Sequence, residues 1–295
     1  MLCERCKKRP AMIYIQSNEG GQSKSKGYCL TCAKELGIKP VDDMMKQMGI
    51  DDEALKAMEE QMDIPIILAG GVGSRVGADR PKQFIEVFEK PILVYTIEAF
   101  QNHPEIDAIE VVCIKSHIDY LKELIDEYSL TKVKWICEGG EDFQHSVING
   151  VDNLKGKIND DDIVLVHYGA SPFISDEIIS DAIRVCKEKG NSVPAMPSPI
   201  LMGTNDGDKS TKWVGRDKVL MLTSPQCFNF AYVCQLYEEA IEKDLIDKVE
   251  PHTTTLMYEM GREIYPSKTN QTNIKITTAE DIDLFRGYVM AKKSQ

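Results

Sequence analysis

Four glycines fall within eight residues at Gly70-Gly-Val-Gly-Ser-Arg-Val-Gly77, directly after the apolar run Ile64-Pro-Ile-Ile-Leu-Ala69. Glycines that follow a buried strand let backbone N–H groups approach phosphate oxygens, and a helix N-terminus behind them adds partial positive charge. Arg75 and Lys82, the latter in Asp79-Arg-Pro-Lys-Gln83, supply cations that would neutralise a polyphosphate. No Gly-Lys-Ser/Thr ending makes this a P-loop, and the spacing is not the GxGxxG dinucleotide fingerprint. The chemistry these residues suit is nucleotide binding. A structural turn with two surface cations accounts less well for so many glycines.

A second cluster opens the chain. Cys3-Glu-Arg-Cys6 and Cys29-Leu-Thr-Cys32 are two CxxC pairs separated by 22 residues. Between them, the alternating stretch Ala11 to Gln16 suits a strand, Asn18-Glu-Gly-Gly21 supplies turn chemistry, and a second strand would return to Tyr28. Ala33 to Leu36 would begin a helix that Gly37 can close. Two cysteine knuckles joined by a hairpin bring four thiolates into the tetrahedron that Zn²⁺ prefers, and a four-sulfur site is structural because no position stays open for water. A module of about 40 residues buries too little apolar surface to fold alone. Zinc binding of roughly 10–16 kcal/mol would supply the difference.

These sites need elements to hold them. Residues 1–40 read as a zinc-ribbon-like module and residues 41–62 as a helical linker. In the linker, Met44, Met45, Met48, Leu55, Met58 and Met62 recur at helical spacing, interrupted near Gly49. Such a stripe reads as a packing face, with a partner-binding helix as the alternative. In residues 63–295, strand-prone runs occur at Ile64–Leu68, Ile109–Ile114, Val133–Cys137, Ile163–His167 and Val193–Met196. Amphipathic helical patterns lie between them at Ile92–Asn102, Asp119–Tyr128, Gln144–Leu154 and Asp176–Gly190. This alternation predicts an α/β fold, a Rossmann-like domain with a mostly parallel sheet and helices on both faces. Ligands of such sheets sit beyond the carboxyl ends of the strands, which directs attention to the loops after Leu68, Cys137 and His167.

Charge and composition narrow the partners. With 35 basic and 47 acidic residues the formal charge is −12, which argues against general nucleic-acid binding. Lys7, Lys8, Arg9, Lys24 and Lys26 give the first module a small basic face that reads as solvated surface. No run of about 18 apolar residues suggests a membrane span, and the charged N-terminus does not read as a signal peptide. A cytoplasmic location with reduced cysteines is therefore expected. Cys113, Cys137, Cys186, Cys227 and Cys234 sit among apolar residues and read as core side chains.

The segment AGGVGSRVGADRPKQF resembles the nucleotide loop of the methylerythritol-phosphate and ribitol-phosphate cytidylyltransferases. KPILVYTIEAF, GGEDFQHSVINGV, VLVHYGASPFIS, SPQCF and NIKITTAEDIDLF follow in that family's order, so the resemblance spans about Ile64 to Phe285. It implies a nucleotidyltransferase that moves CMP from CTP to a phosphorylated sugar alcohol with Mg²⁺, releasing pyrophosphate. It further implies that Ala69, Gly70, Gly71 and Gly73 wrap the triphosphate, and that Arg75 and Lys82 hold its phosphates. Gly139, Gly140 and Ser146 would recognise cytosine, Lys275 would contact the α-phosphate, and Arg216 would hold the acceptor phosphate from an arm reaching a neighbouring subunit of a homodimer. The first 37 residues are also similar to the N-terminal zinc module of the McsA-type activators of bacterial stress kinases, which implies a protein-contact role.

Several positions depart from the family pattern. Its His-Asp-Ala-Ala-Arg-Pro loop is here His167-Tyr-Gly-Ala-Ser-Pro172, so Tyr168 replaces the aspartate expected near the metal and Ser171 the arginine. Phe143 and His145 replace an arginine and an aspartate of the cytosine loop. Ile200-Leu201 stands at an acceptor-side Asp-Thr, Ser224 at a threonine, and His252-Thr-Thr254 at an acidic stretch. A neutral phenol is a poor ligand for Mg²⁺. Either the enzyme draws metal ligands from elsewhere, with Glu141 and Asp142 as candidates, or the chain binds CTP without turnover and acts through its zinc module. His167 reads as a structural histidine. His103, His117 and His252 read as solvated or capping residues, and Asn159-Asp-Asp-Asp162 as a solvated turn.

Overall fold

The computed structural model describes residues 4–5, 13–19, 22–38, 41, 44–45, 61–71 and 80–293. Cys3, Cys6, Lys7, Lys8, Arg9, Met48, Leu55, Met58, Gly73 and Arg75 lie outside the described residues. The chain divides into two compact units, Met1–Met62 and Asp63–Gln295.

In the first unit, β1 (Ile13–Glu19) and β2 (Gln22–Tyr28) form an antiparallel hairpin with Ile13 opposite Tyr28 and Glu19 opposite Gln22. The helix α1 (Leu30–Glu35) follows at once, starting three residues earlier than its sequence pattern suggests. Gly37 closes it with a φ of +66°, a conformation that costs a residue without a Cβ little. Leu30 and Ala33 are buried together with Val41 and Met45, and Ile13, Tyr28, Ile38 and Met44 pack around them. The beginning of the methionine-rich segment thus contributes to the core of this unit. Cys29 and Cys32 are buried side by side at the junction of β2 and α1.

The second unit is built on an eight-stranded sheet among the described residues. Its parallel half contains β3 (Asp63–Ala69), β6 (Ile109–Cys113), β7 (Val133–Glu138) and β8 (Ile163–Tyr168), in the spatial order β8-β3-β6-β7. All of β6, and all of β8 except Tyr168, is buried, as expected for strands covered by helices on both faces. Two short strands, β4 (Glu86–Val87) and β5 (Lys90–Pro91), pair beside the main sheet and lead into the helix α2 (Ile92–Gln101). The helices α3 (Ile118–Glu127), α4 (Phe143–Leu154) and α5 (Asp176–Lys189) complete the crossovers.

Side chains divide between the faces with the two-residue period of strands. Ile67, Ala69, Val111, Cys113 and Leu165 join Leu93, Ile97, Phe100, Leu121, Leu124, Ile179 and Ile183 in one cluster, which places α2, α3 and α5 on that face. Ile66 and Val112 point the other way, toward α4. There Gly150 brings the helix so close that a Cβ would stand 2.9 Å from a methyl of each.

The other half of the sheet is antiparallel. β9 (Asn191–Pro197), β12 (Leu220–Leu222) and β13 (Gln226–Asn229) extend it from β8, with β14 (Pro266–Ser267) parallel to β9. Between β9 and β12 the chain makes an excursion in which β10 (Met202–Gly203) pairs with β11 (Trp213–Val214). The helices α6 (Phe230–Glu242), α7 (Thr253–Glu259) and α8 (Ala279–Lys293) finish the unit. All five expected strands and all four expected helices of this unit are present.

Candidate active site

The strand register sets the site. Leu68 lies opposite Tyr168, Ala69 opposite Cys113, and Cys113 opposite Glu138, so four parallel strands end at one edge. Each ladder runs one hydrogen bond further: Gly169 N–H donates to Leu68 O at 2.8 Å and Gly139 N–H to Cys113 O at 2.8 Å. The loops that follow are therefore held against one another before any side chain is considered.

Glycine is required where these loops meet. A Cβ on Gly70 would lie 3.0 Å from Ser146 Oγ, and one on Gly140 would overlap His145 at 2.3 Å. Ser146 Oγ accepts the Gly140 N–H at 3.1 Å. Asp142 caps α4, its Oδ1 accepting the His145 N–H at 2.9 Å, which brings the positive end of that helix to the same edge. Gln83, on a short turn spanning Lys82–Phe84, is buried and donates to Ala69 O at 2.7 Å and Gly71 O at 2.9 Å. Fixing the Ala69 carbonyl also fixes the Gly70 N–H, which points the opposite way on the same planar peptide. This anchoring role of Gln83 was visible only as part of the Pro-Lys-Gln motif.

A cavity of about 220 Å³ opens at this edge. Of the assigned site residues, Gly70, Gly71, Lys82, Gly140, Ser146 and Lys275 line it, while Ala69 and Gly139 do not. Glu141, Asp142, Phe143, Tyr168 and Thr277 complete much of the rest. Arg216 is exposed on a turn spanning Arg216–Lys218 and does not line the cavity. The arrangement brings glycine backbone, two ammonium groups and two carboxylates to one cavity, a setting for a bound polyanion and a small polar heterocycle.

Comparison with known proteins agrees with this geometry. Residues 64–291 match the family described as IspD: 2-C-methyl-D-erythritol 4-phosphate cytidylyltransferase. The ribitol-5-phosphate cytidylyltransferase of Lacticaseibacillus paracasei is 37% identical over 229 residues, covering 77% of this chain and 98% of the relative. The 2-C-methyl-D-erythritol 4-phosphate cytidylyltransferase of Clostridium perfringens is 36% identical over 228 residues, covering 77% and 98%. The crystal structure of 4-diphosphocytidyl-2C-methyl-D-erythritol synthase from Anaerococcus prevotii superposes with a TM-score of 0.66 at 24% identity, covering 78% of this chain and 99% of that one. The chain belongs to the IspD cytidylyltransferase family.

In this cytidylyltransferase three of the positions that depart from the family pattern, Phe143, Tyr168 and His252, form a connected aromatic wall. Tyr168 Oη and His252 Nδ1 are 2.9 Å apart. Phe143 packs against both, with ring centroids 5.3 Å and 5.4 Å away. The Lys275 ammonium sits 3.7 Å from the centroid of the Tyr168 ring. Burial pushes the Tyr168 hydroxyl far above its ordinary pKa, so it stays a neutral phenol. Burial and the Lys275 charge both hold His252 below the usual imidazole value, against the opposing pull of Glu250.

His252 is thus a correction to its reading as a solvated or capping residue: although it stands at the start of α7, its side chain makes no cap bond and instead holds Tyr168. The two are 84 residues apart, so no local spacing could have joined them.

Other expectations change inside the enzyme. His103 is buried, with its Nε2 3.1 Å from Ser180 Oγ, and Glu105 N–H donates to its Nδ1 at 3.3 Å. Asp162 is also buried, accepting the Asn159 N–H at 2.7 Å, whereas Asn159, Asp160 and Asp161 are exposed as a turn. His117 remains on the surface side, stacked on Phe84 at 4.8 Å. His167 is structural: it is fully buried, lies 3.0 Å from Ser171 O through Nε2, and burial lowers its pKa to about 4. Cys113, Cys186 and Cys227 are buried, and Cys137 and Cys234 partly so.

Proposed function

We infer that this protein transfers the cytidylyl group of CTP to the phosphate of a small sugar alcohol, with pyrophosphate as the leaving group. The observation that carries this reading is the meeting of two glycine loops over a cavity that also holds Lys82 and Lys275. In this reading Gly70 and Gly71 turn N–H groups toward the triphosphate, and Gly139, Gly140 and Ser146 form the cytosine subsite. An oxygen of the acceptor phosphate attacks the α-phosphorus in line while the bond to the bridging oxygen of pyrophosphate breaks. Both reactants are anions, so the barrier falls mainly through positioning and charge stabilisation, and no covalent nucleophile is required. Lys82 and Arg75 serve the triphosphate, Lys275 the α-phosphate, and Arg216 the acceptor phosphate across a homodimer. The dimer reading draws support from Ile200, Leu201 and Trp213, large apolar residues exposed on the β10–β11 excursion.

Tyr168 offers no ligand for Mg²⁺, because its hydroxyl is taken by His252 and its ring face by Lys275. Glu141 and Asp142 do line the cavity, and carboxylate oxygens suit this hard cation. These two residues would hold the ion, which when bound neutralises phosphate charge. In the first unit, Cys3 and Cys6 with Cys29 and Cys32 would form a structural Zn²⁺ site. The burial of Cys29 beside Cys32, the Glu4 N–H bond to Gly27 O at 2.8 Å and the Arg5–Glu35 ion pair at 2.6 Å support this assignment. A protein partner is the role we assign to that module.

The names of the relatives direct the first acceptors to test: ribitol 5-phosphate, then 2-C-methyl-D-erythritol 4-phosphate. Pyrophosphate release from CTP and Mg²⁺ with either acceptor is the expected result. CTP binding with no release across a broad panel of polyol phosphates would instead mark a silent nucleotide binder.

A further inference from the structure

The contact between Lys275 and Tyr168 reaches beyond the assignments above. Lys275 belongs to an irregular segment whose backbone is tied down beside it, Ile276 N–H donating to Ala170 O at 2.8 Å. Its ammonium lies 3.7 Å from the centre of the Tyr168 ring, close for a cation over an aromatic face. The ring itself is held at both ends of its reach. Its hydroxyl is 2.9 Å from His252 Nδ1, and Phe143 packs against it at 5.3 Å. Phe143, Tyr168 and Lys275 all line the cavity.

We propose that Tyr168 is a positioning residue for Lys275, its ring face aiming the ammonium into the cavity while His252 and Phe143 keep the ring in place. A carboxylate at this position would also orient the lysine, but it would cancel part of the charge that an incoming phosphate must meet. An aromatic face attracts a cation through its quadrupole and brings no compensating negative charge of its own. The inference rests on the cytidylyl-transfer reading for its kinetic arm and on geometry alone for its spectroscopic arm.

The full-length protein serves for both. In spectra of protein carrying ¹³C-labelled lysine, the side-chain methylenes of Lys275, assigned with Lys275→Met, should show an upfield ring-current shift. That shift should persist in Tyr168→Phe and vanish in Tyr168→Leu; its absence from the wild type overturns the proposal whatever the turnover. With CTP, Mg²⁺ and ribitol 5-phosphate, Tyr168→Phe should keep kcat within about threefold of wild type. Tyr168→Leu should lose about tenfold in kcat, with a CTP affinity changed much less. Adding Tyr168→Leu to Lys275→Met should cost nothing further, because the tyrosine acts through the lysine. Equal losses in the two backgrounds, or a Tyr168→Phe protein as impaired as Tyr168→Leu, would reject the positioning role. A wild type that shows the ring-current shift but releases no pyrophosphate with any acceptor removes the transfer reading and leaves the Tyr168–Lys275 geometry supported.

Discussion

Gly70 and Gly139 touch backbone to backbone, although 69 positions separate them: a Cβ on Gly139 would stand 3.0 Å from Gly70 Cα, and one on Gly70 3.3 Å from Gly139 Cα. The first loop is assigned to the triphosphate and the second to the base, so this contact sets the distance between the two ends of the nucleotide. Gly139→Ala should push the loops apart by a few tenths of an ångström, at roughly 1–3 kcal/mol. Gly140→Ala should be worse, because its methyl would overlap His145 at 2.3 Å. CTP titration by calorimetry checks the ranking, which fails if Gly140→Ala binds as well as Gly139→Ala.

Ser146→Ala removes the acceptor of the Gly140 N–H while leaving the helix intact. An orphaned donor at a partly buried site costs about 1–3 kcal/mol. The expected result is a melting temperature lowered by several degrees and a KM for CTP raised roughly tenfold. An unaltered KM would remove Ser146 from the nucleotide site.

Lys82→Ala should weaken CTP binding about tenfold or more, since a charge-assisted contact to phosphate is lost. CMP, which lacks the outer phosphates, should bind the variant and the wild type alike. Equal loss for both nucleotides would point to damage of the loop instead of loss of a phosphate contact.

How much of this was visible beforehand follows from the range of the interactions. The five strands and four helices from Ile64 to Gly190 and just beyond carry strong local patterns: unbroken apolar runs in β3 and β8, one interrupted only by Glu110 in β6, and three-to-four-residue spacing for α3 and α5. The short antiparallel strands β12 and β13 have three and four residues, too few to show a period. Within the site, the glycine loops were legible because Gly70 and Gly140 carry their constraint in their own residue type. His252 was not, because its partner Tyr168 comes from a distant strand end. His103 and Asp162 looked solvent-facing beside polar neighbours, yet tertiary packing buries both.

A buried carboxyl makes stability depend on pH. Burial raises Glu110 from 4.5 to about 7, against the lowering effects of Asn153 and Lys157. A group raised in the folded state favours folding while it is protonated. Its contribution is complete below about 4.5, declines as pH rises, and is gone above about 7. Asp63, which burial also raises to about 7 despite Lys187 at 2.9 Å, acts in the same direction. Glu110→Gln should therefore lose less melting temperature between about pH 5 and pH 8 than wild type, without flattening the curve entirely. Parallel curves for the two proteins would contradict the assignment.

Zinc removal should separate the two units functionally. A strong chelator, or Cys32→Ser, should release zinc and melt the hairpin and helix of the first unit, seen as lost amide dispersion for residues 13–38. Pyrophosphate release should survive at a rate similar to wild type, because the cavity is built wholly from residues of the second unit. Purified protein that contains no zinc and keeps its hairpin would refute the metal assignment.

The segment that bears Lys275 is suspended between two supports. Asn273 donates to Ser224 O at 2.9 Å on one side, and on the other the N–H groups of Thr277 and Thr278 bind the Asp281 carboxylate at the start of α8. Ile282, Phe285 and Val289 of that helix pack with Ile92, Ala170 and Phe173. Anything that loosens α8, whether a fusion, a protease cut or an antibody, would unsettle the segment that carries Lys275. Kinetic work on this protein is better served by an affinity handle at the front of the polypeptide than by one at its back.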